Sequence, residues 1–478
     1  METLQRNANR GSVSLDYDID NSYKNESDNT ERMYRAWGAG GGDRRTWTIS
    51  CWVKRTELHT LQYVWGAGTG GLDFMGFSFD ADDTLRYRHY TGAEYCIKKT
   101  HRVFRDTSAW YHLVVAVDTT DGTAGDRQKI YINGIEETSF QTSTDFDQNR
   151  ETPHNEDNGY FEVGCMIGSA DRFNGYIAEL YSITGSQLAP TAFGRFDDNG
   201  VWVPKDYTGS FSENSVRLEF KNSSSLGTDT SGNGQTFTLQ NLSAIDQATD
   251  TPTNNFCTMN HNARTDGNIR TQEGGTYVTT DGGSGWCSMT ATMAVGNGKW
   301  YWEALYFDNS DADDVHIGVA AANDPWIPHR AGGYYLGNVA TGGSMGWDLD
   351  GGTNYNQNGT WGNPSRGDKL MVALDMDNYK LYYGINGTWG NSADPANGTG
   401  SVTSMDSYWM SGVGGALDFV MPAVSVYQGN FMKGFNFGGQ CQWTIASGNA
   451  DANGYGNFEY APPSGFYALC SKNLAEFG

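Results

Sequence analysis

The sequence predicts an all-β protein built from two tandem β-sandwiches. Glycine accounts for 62 of the 478 residues and aromatic residues for 13 %, whereas glycine averages roughly 7 % in proteins. The dipeptide Asn-Gly occurs ten times, and it favours the two-residue type I′ turns whose twist matches that of paired strands. No run of 12 or more residues has a convincing helical period. Short strands joined by tight turns are typical of sandwiches.

Alternation of apolar and polar residues predicts the strands. In the segment from Thr46 to Lys54, Trp47, Ile49, Cys51 and Val53 fall on one face. The same pattern predicts further strands at 110–117, 176–183, 216–220, 300–305, 369–375 and 420–427.

Two hairpins and one helical turn are also predicted. Lys129-Ile-Tyr-Ile-Asn-Gly-Ile-Glu-Glu-Thr and Lys380-Leu-Tyr-Tyr-Gly-Ile-Asn-Gly-Thr-Trp each give a strand, an Asn-Gly turn and a second strand. Residues 191–196 follow Pro190 and could form a single helical turn.

A change in composition divides the chain. Residues 221–256 are rich in Ser, Thr, Asn, Asp and Gly, which indicates a boundary near 250–257. We therefore expect an N-terminal arm or attachment segment at 1–35, a first sandwich at 36–250 and a second at 251–478. Each sandwich is long enough to bury a core of its own.

Charge and cysteine content exclude several classes of function. The net charge of −24 disfavours nucleic-acid binding and adsorption to anionic lipid, because both need a basic surface. The start of the chain has no apolar stretch typical of a signal peptide, and no segment is apolar enough for membrane insertion as a helix. The seven scattered cysteines form no CxxC pair or His/Cys cluster, which indicates reduced thiols in a protein made in a cytoplasm.

Three sets of motifs carry a family resemblance. Arg45-Thr-Trp-Thr-Ile-Ser-Cys-Trp-Val-Lys-Arg, with segments 103–118, 130–134 and 173–181, resembles a laminin-G-like (concanavalin A-like) jelly roll. Gly298-Lys-Trp-Tyr-Trp-Glu-Ala-Leu begins a series that is similar to a SPRY domain. Its other members are segments 317–320, 367–377, 381–387, 422–427 and 434–438.

The combination of the two modules, together with segments 193–205, 250–254 and 461–474, resembles structural proteins of marine bacteriophages. The resemblance implies a virion protein, on the tail or the capsid surface. We expect a tail-fibre or receptor-binding component that contacts other virion proteins and adheres to host surface glycans. By analogy alone we expect a homotrimer. The alternatives are a capsid decoration or head-fibre protein and, third, a glycan-degrading enzyme.

Catalysis is not expected. Glu26, Asp28 and Glu31 match the Glu-x-Asp-x-x-Glu spacing of concanavalin-fold glycoside hydrolases, which place two carboxyl groups around the scissile bond. In those enzymes the intervening residues are apolar, whereas here they are polar, as at Ser27 and Asn29. We therefore predict a solvated acidic loop and no enzymatic activity.

Calcium is a possible cofactor, since rim loops of such sandwiches often supply carboxylate and carbonyl oxygens. The alternative is that acidic loops only keep the protein soluble. The candidate ligands are Asp118, Asp121 and Asp126 after one strand, and Asp308, Asp311, Asp313 and Asp314 after another.

Sugar recognition is predicted in the second sandwich. The segment 326–335 and the polar loop 347–361 combine aromatic rings with groups that can bind hydroxyls, although such rings can also close the end of a sandwich. The tryptophans at 47, 110, 300 and 302 lie in strands and are expected to pack the sheets. The predicted ligand-binding residues are Trp326, His329, Arg330, Tyr334, Trp347, Asp348, Asp350, Tyr355 and Trp361.

Overall fold

The structure is a computed structural model that describes residues 17–27, 29–38, 42–168, 171–264, 268–280, 286–306, 315–322, 344–348, 354–355, 364–401, 419–427 and 434–478. For 344–348, 354–355 and 427 only the backbone is described. The described residues fall into two compact units, one within Ser14–Thr253 and one within Asn254–Gly478.

The predicted all-β architecture is confirmed. The strands of the first unit are β1 (Ser22–Asn25), β2 (Arg32–Ala36), β3 (Thr46–Arg55), β4 (Gln62–Gly70), β5 (Asp73–Phe79), β6 (Thr84–Tyr90), β7 (Glu94–Val103), β8 (Trp110–Asp118), β9 (Gln128–Ile132), β10 (Ile135–Glu136), β11 (Phe140–Thr144), β12 (Tyr160–Val163), β13 (Gly175–Thr184), β14 (Gly194–Phe196), β15 (Trp202–Pro204), β16 (Val216–Leu218), β17 (Thr238–Gln240) and β18 (Gln247–Ala248).

The second unit continues the pattern and ends in a helix. Its elements are β19 (Met259–Arg264), β20 (Ile269–Gln272), β21 (Tyr277–Thr280), β22 (Trp286–Ala291), β23 (Lys299–Leu305), β24 (Val315–Ala321), β25 (Ser344–Asp348), β26 (Asn354–Tyr355), β27 (Lys369–Asp375), β28 (Lys380–Ile385), β29 (Thr388–Trp389), β30 (Val420–Tyr427), β31 (Gly434–Asn436), β32 (Tyr467–Ala468) and α1 (Ser471–Phe477).

Short 3₁₀ turns complete the described chain, at Ala124–Asp126, Pro190–Ala192, Ala244–Asp246, Glu273–Gly275 and Gly390–Ser392. The helical turn predicted at 191–196 is therefore only partly right. Pro190 begins a 3₁₀ turn, as its fixed φ favours, but the chain is extended again in β14.

Two eight-stranded antiparallel sheets form the first unit. The first sheet has the order β10-β9-β8-β3-β13-β1-β18, with β16 also paired to β13, and the second has the order β11-β7-β6-β5-β4-β12-β2-β17. The side chains of Trp47, Ile49, Cys51 and Val53 are buried in the core, as the alternation in β3 predicts. Trp65 of β4, in the other sheet, meets Trp47 edge-on with ring centroids 6.3 Å apart, so the core lies between the two sheets.

The N-terminal arm predicted at 1–35 is wrong for the residues that the structure describes. β1 lies between β13 and β18 in the first sheet, and β2 lies between β12 and β17 in the second. The aromatic ring of Tyr23 is fully buried in the core. The sequence predicts an arm here because polar residues such as Lys24 and Glu31 dominate the segment. In the structure these polar residues are buried as well.

A buried ion pair joins β3 to the end of the first unit. Lys54 Nζ lies 2.7 Å from Asp250 Oδ2, with both side chains at most 1 % exposed. The indole nitrogen of Trp110 donates to Asp250 Oδ1 at 3.1 Å, and the Ser22 hydroxyl donates to the Asp250 carbonyl oxygen at 2.6 Å. Asp250 therefore fastens the last residues of the unit to β1, β3 and β8.

Two of the predicted Asn-Gly hairpin turns are confirmed by their dihedral angles. Asn133 and Gly134 have φ values of 49° and 79°, and Asn386 and Gly387 have values of 48° and 83°, as a type I′ turn requires. A Cβ atom on Gly134 would overlap the Trp202 ring of the β14–β15 hairpin, which packs over this turn.

Among its described residues, the second unit has two six-stranded sheets and a two-stranded sheet of β20 and β21. One has the order β19-β22-β30-β24-β25-β26, and the other β29-β28-β27-β23-β31, with β32 parallel to β23. Trp300 and Trp302 of β23 are buried in the core. Phe458 and Phe466 of the C-terminal segment pack in a separate buried cluster with Tyr301, so this segment covers the outer face of the second sheet.

All seven cysteines are free and buried, in agreement with the prediction of reduced thiols. Within the described ranges, no helix is long and apolar enough to cross a membrane.

Candidate functional site

The outer face of the second sheet of the first unit presents aromatic and guanidinium groups together. In β6 the side chains alternate between buried and half-buried positions. Leu85, Tyr87 and His89 are buried, whereas Arg88 and Tyr90 are half-buried on the opposite face. Strand pleating produces this division, because successive side chains point to opposite sides of a sheet.

The strand register carries the same face across neighbouring strands. Arg88 is paired with Gly76, and Gly76 with Gly66. Gly66 is paired with Glu162, and Glu162 with Tyr34. Directly paired residues share a face of a sheet, so these five residues form one row across the strands. The Tyr63 ring covers Gly76, and the backbone of residues 165–167 covers Gly66, so the two ends of the row are separate surfaces.

One aromatic cluster lies at the β2–β12 end of the row. Tyr160 is 40 % exposed, and its ring meets that of Tyr34 edge-on with centroids 6.3 Å apart. The guanidinium carbon of Arg32 lies 4.5 Å from the centroid of the Tyr34 ring. Arg32 Nη1 donates to both carboxylate oxygens of Glu162, at 3.0 and 3.1 Å, which fixes the guanidinium plane.

A second cluster lies at the β5–β6 end. The guanidinium carbon of Arg88 is 4.9 Å from the centroid of Phe74 and 5.1 Å from that of Tyr90. Arg88 Nη2 also pairs with Glu94 at 3.1 Å. Both clusters therefore hold an arginine against rings and pair it with a carboxylate. We call Arg32, Tyr34, Phe74, Arg88, Tyr90 and Tyr160 the aromatic–arginine face.

This arrangement suits an uncharged ligand rich in hydroxyl groups. The partly exposed rings of Tyr34, Tyr90 and Tyr160 offer flat apolar surface, whereas Phe74 is buried beneath Arg88. A guanidinium held in a fixed plane offers directed hydrogen-bond donors. The carboxylates beside Arg32 and Arg88 balance the charge of each arginine and can accept hydrogen bonds.

The predicted sugar-binding residues fall mostly outside the described ranges: these are Trp326, His329, Arg330, Tyr334, Asp350 and Trp361. Trp347, Asp348 and Tyr355 have a described backbone, which corrects one prediction. They belong to β25 and β26 at the edge of a sheet, so 347–361 is not a loop throughout. Trp347 is paired with Asn354, and Tyr355 with Gly346.

The first set of predicted calcium ligands is engaged within the chain. Asp118 Oδ1 accepts hydrogen bonds from the backbone and hydroxyl of Thr120, Asp121 Oδ1 accepts one from the Thr123 backbone, and Asp126 pairs with Lys129 at 3.0 Å. No group of three or more His, Cys, Asp and Glu side chains is arranged to hold a metal in the described part of the chain.

The second set, Asp308, Asp311, Asp313 and Asp314, lies outside the described ranges. Calcium binding therefore stays a prediction.

The solvated acidic loop predicted around Glu26 and Glu31 is wrong for these two residues, which are each 2 % exposed. Glu31 pairs with Lys24 at 3.3 Å, and Glu26 Oε1 accepts a hydrogen bond from the Ser27 backbone at 2.9 Å. Asp28 lies outside the described ranges. Buried partners, which the sequence does not reveal, explain why acidic residues lie inside.

A buried carboxylate in the second unit also has a shifted pKa. Burial raises the pKa of Glu303 to about 6, although the backbone nitrogens of Glu459 and Tyr460 donate to it at 2.9 and 2.8 Å. The Tyr301 hydroxyl is a third donor, at 2.9 Å. A shifted pKa can mark a catalytic acid, but Glu303 is 0 % exposed and holds the C-terminal segment to the sheet.

The aromatic–arginine face was not predicted from the sequence, since the predicted sugar site rests on aromatic residues in loops. The run Thr84-Leu-Arg-Tyr-Arg-His-Tyr has period two, with arginines on one face, and would have indicated it. Of the predicted packing tryptophans, those at 47, 300 and 302 are buried, and Trp110 is half-buried.

Comparisons with known proteins support the fold. Residues 34–185 match the family model Laminin_G_3, described as the concanavalin A-like lectin/glucanases superfamily. Among curated proteins, no sequence matches this chain.

Solved structures with a similar fold include three that differ widely in origin. The SPRY domain of human HERC1 is 16 % identical over 38 % of this chain and 96 % of that one, with a TM-score of 0.28. Domain 4 of AbnA, a GH43 extracellular arabinanase from Geobacillus stearothermophilus solved with arabinotriose, is 22 % identical over 31 % of this chain, with a TM-score of 0.25. The match spans 64 % of that structure, less than two thirds of its length.

A heptameric SAP-like pentraxin from Limulus polyphemus is 16 % identical over 36 % of this chain and 80 % of that one, with a TM-score of 0.27. The family match by itself shows a concanavalin A-like domain at residues 34–185 of the first unit.

Proposed function

We propose that this protein, whose residues 34–185 match the concanavalin A-like superfamily, binds glycans without cleaving them. The observation that carries the proposal is that five of the six residues of the aromatic–arginine face lie within the matched segment. Superfamily members include lectins, and this face combines rings with paired guanidinium groups. Function on such a scaffold depends on the groups it displays rather than on the fold.

The biological setting that we propose is a bacteriophage virion. The order of the two modules and the segments at 193–205, 250–254 and 461–474 resemble phage structural proteins. The protein would be a tail-fibre or receptor-binding component that attaches the particle to host surface glycans. In an oligomer such as the expected trimer, weak binding at each site would be multiplied by avidity.

A lack of hydrolytic activity is also part of the proposal. Glycoside hydrolysis needs two carboxyl groups facing the scissile bond. Glu26 and Glu31 are buried and engaged inside the first unit, which leaves neither carboxyl group accessible to a glycan. Incubation with host polysaccharide should therefore release no new reducing ends.

The binding proposal is tested by titrating isolated host envelope polysaccharide into the full-length protein. Tyr160→Ala removes the most exposed ring of the face and should weaken binding roughly fivefold to tenfold, or about 1–1.4 kcal/mol. Tyr379→Ala is the matched control, since Tyr379 is a similarly exposed tyrosine at 39 % in the second unit, and it should leave binding unchanged.

Trp361→Ala in the same assay tests the site predicted in the second sandwich, and EDTA tests the role of calcium. Unchanged affinity in both Tyr160→Ala and Trp361→Ala would contradict both proposed sugar sites. Cryo-electron microscopy of intact particles tests the location: density on the tail supports the receptor-binding role, and density on the capsid lattice overturns it.

A further inference from the structure

A lysine and two carboxylates form a buried group in the first unit. Lys24 Nζ lies 2.8 Å from Asp246 Oδ1 and 3.3 Å from Glu31 Oε1. The side chain of Lys24 is 1 % exposed and those of Glu31 and Asp246 are each 3 % exposed. One ammonium group therefore faces two carboxylates, with little access for water.

The backbone fixes the geometry of this group. Tyr23 of β1 is paired with Gln247 of β18 in an antiparallel register, which places the preceding and following residues, Asp246 and Lys24, opposite each other. The Ser243 backbone donates to Asp246 Oδ2 at 2.7 Å in a capping box. The other carboxylate oxygen, Oδ1, faces Lys24 Nζ. Because the backbone holds the amine and the carboxyl group side by side, a reaction between them would be intramolecular, which favours it over a reaction between freely diffusing groups.

A covalent linkage between these groups requires a neutral amine and a carboxylic acid as the reacting forms. Transfer of one proton from the ammonium to a carboxylate yields a neutral amine beside a carboxylic acid. An unprotonated lysine amine is a nucleophile, and a carboxyl group in contact with it can carry protons as a general acid and base.

We propose that Lys24 and Asp246 become joined by an intramolecular isopeptide bond, with Glu31 as the proton carrier. The Nζ lone pair attacks Cγ of the protonated Asp246 side chain. Glu31 accepts a proton from the nitrogen and returns it to the departing oxygen. One C–N bond forms, one C–O bond breaks and one water molecule leaves, so the reaction needs no oxidant or other reactant. The proposal does not depend on glycan binding.

A second buried pair in the same unit provides an internal control. Lys54 and Asp250 are as close and as buried as Lys24 and Asp246. Beside Asp250, however, lies the indole N–H of Trp110, which donates a hydrogen bond but cannot accept a proton. Comparison of the two pairs therefore tests whether closeness and burial alone are enough to form a covalent bond.

The decisive measurement is the intact mass of the full-length chain after denaturation. We expect a mass lower than that of the sequence by one water molecule, and a linked pair of proteolytic peptides that contain Lys24 and Asp246. The full sequence mass would overturn the proposal. Loss of water without that linked pair, as from cyclisation of an aspartate elsewhere, would overturn it as well.

Three variants test the roles of the residues. Asp246→Asn should give the same linked product, because ammonia then leaves in place of water. Lys24→Arg, which retains the positive charge, should have the full mass of its sequence. Glu31→Gln should fold, as judged by circular dichroism, yet remain mostly unlinked, and rapid linkage in this variant would exclude Glu31 as the proton carrier. Lys54→Arg should leave the linkage intact.

Discussion

Replacing Asp250 with alanine should destabilise the first unit strongly. The substitution removes the partner of Lys54, whose side chain is 0 % exposed, and the acceptor of the Trp110 indole. Loss of one member of a buried ion pair typically costs about 3–5 kcal/mol, because the remaining charge stays buried. For a unit of this size each kcal/mol lowers the melting temperature by roughly 2–4 °C, so we expect a decrease of roughly 6–20 °C.

Scanning calorimetry of the full-length protein measures this effect as a shift of one transition. The control is Arg45→Ala, which removes an ion pair with Glu151 whose side chains are 43 % and 54 % exposed. Such exposed pairs contribute about 0–1 kcal/mol. The double variant Lys54→Met/Asp250→Leu should recover most of the stability, since apolar replacements of buried pairs are often neutral. A loss below about 1 kcal/mol for Asp250→Ala would refute the reasoning.

Three further predictions concern other buried positions. The pKa of Glu303, raised from 4.5 to about 6, means that the folded state binds this proton more tightly than the unfolded state. The second unit should therefore lose about 2 kcal/mol as the pH rises from 4.5 through 6, and urea titrations of Glu303→Gln should lack this loss. Gly134→Ala should lower the free energy of unfolding of the first unit by more than about 1 kcal/mol, because its Cβ would overlap Trp202 at a positive φ. This loss would appear as a lower midpoint of the unit's urea transition, and an unchanged midpoint would contradict it. Since all seven cysteines are buried, an aromatic disulfide reagent should modify none in the native protein and all seven in urea.

Much of the fold could be predicted because one signal, period-two alternation, determines it. Lys369–Asp375 and Val420–Tyr427 are strands over the residues predicted. Asn133 and Asn386 adopt the turn conformations that their Asn-Gly pairs favour. These features are local, so that neighbouring residues in the sequence suffice to specify them.

The incorrect predictions have a common physical cause, which is that residues far apart in the sequence pair with each other in the fold. Composition places Glu31 in solvent, but Lys24 compensates its charge inside the unit, and Asp246, which lies far along the chain, pairs with the same lysine. The register between β1 and β18 creates that partnership, and no sequence pattern reveals it. For the site, the sequence could show that Arg88 and Tyr90 share a face, but it could not show that Gly66 and Gly76 lie between them and Tyr34.

The pairing of β1 with β18 also determines how the first unit would respond to tension. Ser22 is opposite Ala248, so the chain enters and leaves this unit at the same end of an antiparallel ribbon. A force applied through the two ends would peel the ribbon apart one hydrogen bond at a time, instead of shearing all of them together. Strand separation would reach Lys24 and Asp246 directly after Tyr23 and Gln247. A covalent link between Lys24 and Asp246 would stop the separation there. The link would then carry the force between the two ends, and the remaining strands would bear none of it.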